Sequence, residues 1–142
     1  MKDLETAKKS LLENGYTCVL CKGDEEYVSH SRGVKPLIEF LESPKSFKGF
    51  SAADKTVGAG AAHLYVLLGV KAVWANIISK NGKKILNDNN VYIFCEKEVP
   101  FIINRTNSGM CPIEKAVEGI TDSNEALLKI NQTVLLLNKN NK

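Results

Sequence analysis

The sequence predicts an α/β domain of three layers, with a mixed sheet of about five strands between helices. Three observations point there. After an initial hairpin, segments with helical apolar spacing alternate with β-rich segments. One run, Ala72-Val73-Trp74-Ala75 with Ile77-Ile78, is almost continuously apolar, as a strand covered on both faces must be. The chain has 142 residues, 44% hydrophobic and 25% charged, which suits one domain over 1–142 with its own core.

Leu4, Ala7, Leu11 and Leu12 share a helical face, and Asn14-Gly15 end that helix. Tyr16 to Lys22 is β-rich, Lys22-Gly23-Asp24-Glu25 turns, and Glu26 to Ser31 returns with His30 on the strand. Val34, Leu37, Ile38 and Leu41 mark a second helix, with Pro36 in its first turn and Pro44 beyond its end. Ser51 to Ala62, S-A-A-D-K-T-V-G-A-G-A-A, reads as the opening of a buried helix. Ser51 would be its N-cap and Asp54 the answering acid, with Val57, Ala61, Leu64, Tyr65 and Leu68 inward before a Gly69 C-cap. After the apolar strand, Ser79 to Asp88 fits either an Asn81-Gly82 hairpin or a short helix capped by Ser79. Val91 to Val99 is a strand and Phe101 to Asn104 another. Pro112 suits the first position of a short helix headed by Cys111. Ala126, Leu127, Ile130 and Val134 mark the last helix, which frays over 137–142.

A net charge of +3, with 19 scattered basic residues, gives no track for nucleic acid. The start M-K-D-L-E-T is not a signal peptide, and no stretch suits a bilayer, so no membrane partner and a cytoplasmic location are expected. In that compartment the four cysteines are thiols.

Candidate chemistry sits at the ends of elements. Asp54 and Lys55 would face a cleft at a positive helix end, although a plain capping box explains the same pattern. Cys111, at a helix head with Glu114 nearby, is a candidate nucleophile; a structural thiol is the bland alternative. His30 and His63 lie far from it in sequence, and His63, in mid-helix, reads as a satisfied or surface imidazole. Cys18 and Cys21 lie three apart in a strand and point to opposite faces, so they do not make half a zinc site. Arg32 and the pair Asn104-Arg105 end predicted strands and can hold an anion or simply be solvated. G-A-G-A-A lacks the Lys-Ser/Thr ending of a phosphate loop.

The strings S-R-G-V-K-P-L at 31–37, A-D-K-T-V-G-A-G-A-A at 53–62, N-R at 104–105 and C-P-I-E-K at 111–115 together resemble the Domain of Unknown Function 1893 family. That resemblance implies a cytidine-deaminase-like fold, with two helix N-termini meeting at the site, and it resolves 79–88 as helix. Zinc deaminases place a His or Cys two residues before a Glu at one helix head and P-C-x-x-C at the next. Ala53-Asp54-Lys55 and Ser79-Lys80-Asn81-Gly82 are expected at those places, and neither supplies such ligands. No metal, no cofactor and no zinc-dependent deamination are expected.

Three readings compete. The first is a metal-free domain binding a small anionic or nucleotide-like ligand through Asp54, Lys55, Arg105 and Cys111, with Ser51, Asn104 and Glu114 contributing and Arg32 at the rim. The second is an enzyme whose nucleophile is Cys111 or Lys55. The third is a scaffold that self-associates, as a homodimer, through the small-residue helix.

Overall fold

The computed structural model describes residues 2–104 and 108–140. Its elements, in order, are α1 (Lys2–Asn14), β1 (Cys18–Lys22), β2 (Glu25–Ser29), α2 (Lys35–Glu42), β3 (Ser51–Val57), α3 (Ala59–Leu68), β4 (Ala72–Ser79), α4 (Lys80–Asp88), β5 (Tyr92–Val99), α5 (Pro112–Ala116) and α6 (Ser123–Asn140). The strands form one mixed sheet in the order β2-β1-β3-β4-β5. β1 pairs antiparallel with β2 and β3, while β3–β4 and β4–β5 are parallel. The parallel pairs need crossovers, and α3 and α4 supply them.

The two faces are covered unequally. Among the described residues α1 alone packs on one face, where Leu4, Ala7 and Leu11 meet Val19, Cys21, Ala53, Ala72 and Trp74. On the other face α2, α3, α4 and α6 enclose the larger core, including Leu20, Leu37, Ala52, Leu64, Leu86 and Ile130. Cys18 belongs to this larger core and Cys21 to the smaller, as their spacing requires. Leu12, expected inward, is 59% exposed.

The largest correction concerns the small-residue segment. Ser51 to Val57 is the central strand β3, and the helix begins only at Ala59. Alanine and aspartate disfavour strands in isolation, but here β1 and β4 pair with both edges of the segment. Both of its faces are buried at Ala52 and Ala53, and small side chains suit a strand packed on both sides. Helix α3 is buried from Ala59 to Tyr65, so no amphipathic stripe marks its start.

Side-chain alternation breaks in the middle of the sheet. The β4–β5 register runs to Ala75 opposite Cys95 and resumes at Ile77 opposite Lys97, passing over Asn76 and Glu96. The β3–β4 register likewise passes over Lys55 and Asn76. Consequently Ala75 and Ile78, three apart, both enter the larger core.

Smaller expectations resolve as follows. Residues 80–88 are helical, and Ser79 Oγ accepts from the Gly82 N–H at 3.0 Å. Gly69 is the left-handed C-cap of α3. The expected strand at Phe101 to Asn104 is a single bridge, Ile103 to Met110. His30 lies beyond β2, exposed, its ring 4.8 Å from that of Tyr16. α6 runs to Asn140, so residues 138–140 continue the helix.

Candidate functional site

Polar side chains gather at two separate places. The first is the interior beside β1 and β3. Tyr65, on α3, donates its O–H to Asp54 Oδ2 at 2.6 Å, and the Thr56 N–H donates to Oδ1 at 3.1 Å. Cys18 Sγ lies 3.3 Å from the same Tyr65 oxygen. Burial drives Asp54 up to about 7, and the bonds from Tyr65, Thr56 and Lys55 restrain the rise. Burial and then the Asp54 charge hold Cys18 and Tyr65 firmly protonated. This chain of groups can take up or release one proton near neutrality, but its thiol is no nucleophile.

The second place is where the heads of α3 and α4 meet. Glu114, on α5 and 2% exposed, sends Oε2 across to accept from the Ala59 N–H at 2.7 Å. It thereby caps α3 from another helix, satisfying an amide that opens the helix. Its Oε1 is buried with no hydrogen-bond partner among the described residues. The glycines follow from this packing. A Cβ on Gly58 would overlap Glu114 Oε2, and one on Gly60 would overlap Ile113. A Cβ on Gly82 would sit 3.1 Å from both the Gly58 carbonyl and Ser79 Oγ, so a side chain there would crowd the approach of α4 to α3.

Beside these helix heads opens a cleft of about 370 Å³ between α4 and the connection from α5 to α6. Asn81, Lys84, Asp88, Glu118 and Thr121 give it polar groups, and Ile85, Val117 and Ile120 give it apolar walls. Lys84 is already paired with Asp88 at 2.6 Å. His63 holds the far wall from behind. Its Nε2 lies 3.1 Å from the Ile120 carbonyl, which can only accept, so Nε2 carries the proton and Nδ1 accepts from Ser123 Oγ at 2.9 Å. Burial lowers the pKa of this imidazole and keeps it neutral.

The residues nominated from sequence are thus dispersed. Asp54 is in the core, and Lys55 is exposed on β3 with its N–H bonded to Thr17. Ser51 lies in β3, 0% exposed and without a partner for Oγ among the described residues, so neither it nor Asp54 caps a helix. Cys111 is the N-cap residue of α5, half-buried, and its N–H donates to Ile102. Asn104 bonds both ways with Ser108, and Arg32 is exposed beside the turn into α2. Arg105 lies outside the described residues. Glu114 is the nominated residue nearest the helix heads, and it serves α3 rather than its own helix. The positions now seen at the first helix head are Gly58-Ala59-Gly60, in place of Ala53-Asp54-Lys55. Sequence reasoning missed the cleft polar groups and the bracing role of His63. A lone histidine in a fully apolar helix segment was the available signal.

Among the described residues no three His, Cys, Asp or Glu side chains come together as a metal set, and no helix is long and apolar enough to cross a membrane. A family model described as "Domain of unknown function (DUF1893)" matches residues 6–134. The crystal structure of a DUF1893 family protein from Thermotoga maritima superposes with a TM-score of 0.83 at 25% identity, covering 97% of this chain and 90% of that one. The apo structure of a dCMP deaminase from the cyanophage S-TIM5 gives a TM-score of 0.44 at 14% identity, covering 69% of this chain and 94% of that one. No curated protein matches the chain.

Proposed function

The chain belongs to the DUF1893 family, and from that premise and the geometry above we propose that it is a metal-independent binding domain for a small, uncharged, polar molecule of nucleoside size. The observation that carries this reading is the cleft beside the heads of α3 and α4. Its volume of about 370 Å³ is within the range of small-molecule sites. Apolar walls from Ile85, Val117 and Ile120 can hold a flat ring, while Asn81 and Thr121 offer donors and acceptors to orient it. The anionic ligand expected from sequence is disfavoured at this place. Lys84 is neutralised by Asp88, and Glu118 brings a further carboxylate to the lining that no described residue pairs.

The test is a thermal-shift and calorimetric screen of nucleosides beside their phosphates, on the wild type and on Asn81→Leu. A bound nucleoside at a hundred times its Kd stabilises the fold by about 2.7 kcal/mol. The reading expects such a shift with uncharged compounds, a smaller one with phosphates, and its loss in Asn81→Leu. It fails if no nucleoside binds, or if Asn81→Leu binds as the wild type does.

A further inference from the structure

The head of α3 carries hydrogen-bonding groups that the fold itself leaves unused. A helix gives its first amides no partner within the helix. Here Glu114 Oε2 takes the Ala59 N–H, and the first backbone bond along α3 runs from the Ala62 N–H to the Gly58 carbonyl at 2.9 Å. The Gly60 and Ala61 amides between them are buried, and no described residue accepts from them. Glu114 supplies the opposite polarity at the same place. It is 2% exposed, and its Oε1 accepts from no described residue. A buried carboxylate oxygen without a donor is costly, so its retention calls for a partner that comes from outside the fold.

This helix head adjoins the cleft beside α4. Ala59, whose N–H Glu114 holds, lines the cleft, and so does Val117, three residues beyond Glu114. Ala59 puts only a methyl group into the wall between the carboxylate and the cleft. A small turn of the Glu114 side chain brings Oε1 to the opening while Oε2 keeps the Ala59 N–H.

We propose that Glu114 Oε1 and the Gly60 and Ala61 amides are the specificity element of the cleft, and that they select a ring whose edge sets an N–H beside a carbonyl, a lactam as in uracil or hypoxanthine. The inference rests on the cleft being the binding site. The ring N–H donates to Oε1, a charge-assisted bond, and the ring carbonyl accepts from the Gly60 or Ala61 N–H. Every group left over at the helix head then has a partner of the right kind. Cytosine and adenine present a ring lone pair where uracil and hypoxanthine present the N–H. Against Oε1 that lone pair leaves two acceptors facing each other, both without a donor. A site built on such a bond rejects the analogue lacking it by a large factor.

The experiment is calorimetric titration of the full chain with uridine against cytidine and inosine against adenosine, pairs that differ only along this edge. The wild type is expected to bind uridine and inosine about a hundredfold more tightly than their amino counterparts. Glu114→Gln keeps an oxygen for the Ala59 N–H and sets an NH2 in place of Oε1. Its preference is expected to invert, toward cytidine and adenosine. A merely structural role for Glu114 would alter stability and leave the preference unchanged. Should Glu114→Gln fold poorly, the wild-type preference within each pair decides alone. Equal wild-type affinities in a pair that binds, a wild-type preference for the amino member, or an unchanged preference in folded Glu114→Gln overturns the inference. The cleft reading survives any of these where Asn81→Leu still loses binding. Binding of no nucleoside overturns both.

Discussion

Asp54 makes the stability of this protein depend on pH in the direction opposite to an ordinary surface carboxylate. Unfolded, the group titrates near its usual 3.8; folded, it is pushed up to about 7 by burial. Between those values the folded chain carries a proton that the unfolded chain has released. Stability from this group is therefore greatest in acid and falls as pH rises toward and through about 7. Each pH step of one across that interval removes about 1.4 kcal/mol, which makes the whole loss a few kcal/mol. His63 acts the other way, because its buried neutral form loses ground as pH drops below the ordinary 6.5. Comparing Asp54→Asn with the wild type cancels the histidine contribution. The expected result is that the substitution gains stability relative to wild type between pH 5 and pH 8, read by chemical denaturation at each pH. Tyr65→Phe removes the donor that restrains Asp54, so the fall in stability should extend to higher pH than in the wild type, while its onset near 3.8, set by the unfolded chain, stays where it is.

At the scale of elements, the junction of α3, α4 and α5 is fitted around Glu114. Gly58→Ala should cost about 1–3 kcal/mol, since the new methyl overlaps the Glu114 carboxylate. Glu114→Ala should also be costly, because the Ala59 N–H loses its acceptor. The double variant should be less damaged than the sum, with a coupling above about 0.5 kcal/mol in a double-mutant cycle. Additive costs would show that the two residues do not meet. The sequence displayed this junction only in part. The Cys111-Pro112 helix start and the Gly69 stop were legible, because each depends on local backbone chemistry; the Ser79 cap was one of two local readings of 79–88, and only the family resemblance chose it over an Asn81-Gly82 hairpin. The strand at Ser51–Val57 was not legible, because its pairing partners are Cys18–Cys21 and Ala72–Ile78, and nothing in S-A-A-D-K-T-V announces them. Glu114 was noticed as a helix-head acid, yet its true partner, Ala59, is 55 residues away. A polar group satisfied at such range leaves no local pattern to read.

For the molecule as a whole, the uneven covering of the sheet implies uneven opening. β3 and β4 are interior strands flanked on both edges and buried at Ala52, Ala53, Val73 and Ala75. Their amides should exchange with solvent slowest, at rates set by global unfolding. α1 docks through Leu4, Ala7 and Leu11, a far smaller contact than the opposite core, and its amides should exchange faster. Equal protection across α1 and β4 in a hydrogen-exchange time course would show the layers to be one cooperative unit. Trp74 lies in that thin layer, 5% exposed, with the Lys8 ammonium 5.0 Å from its ring centroid. It is the sole indole in the chain. Its emission is therefore a built-in gauge of a single helix: a red shift at a denaturant concentration where far-ultraviolet ellipticity barely changes would time the departure of α1 while the rest of the protein stands.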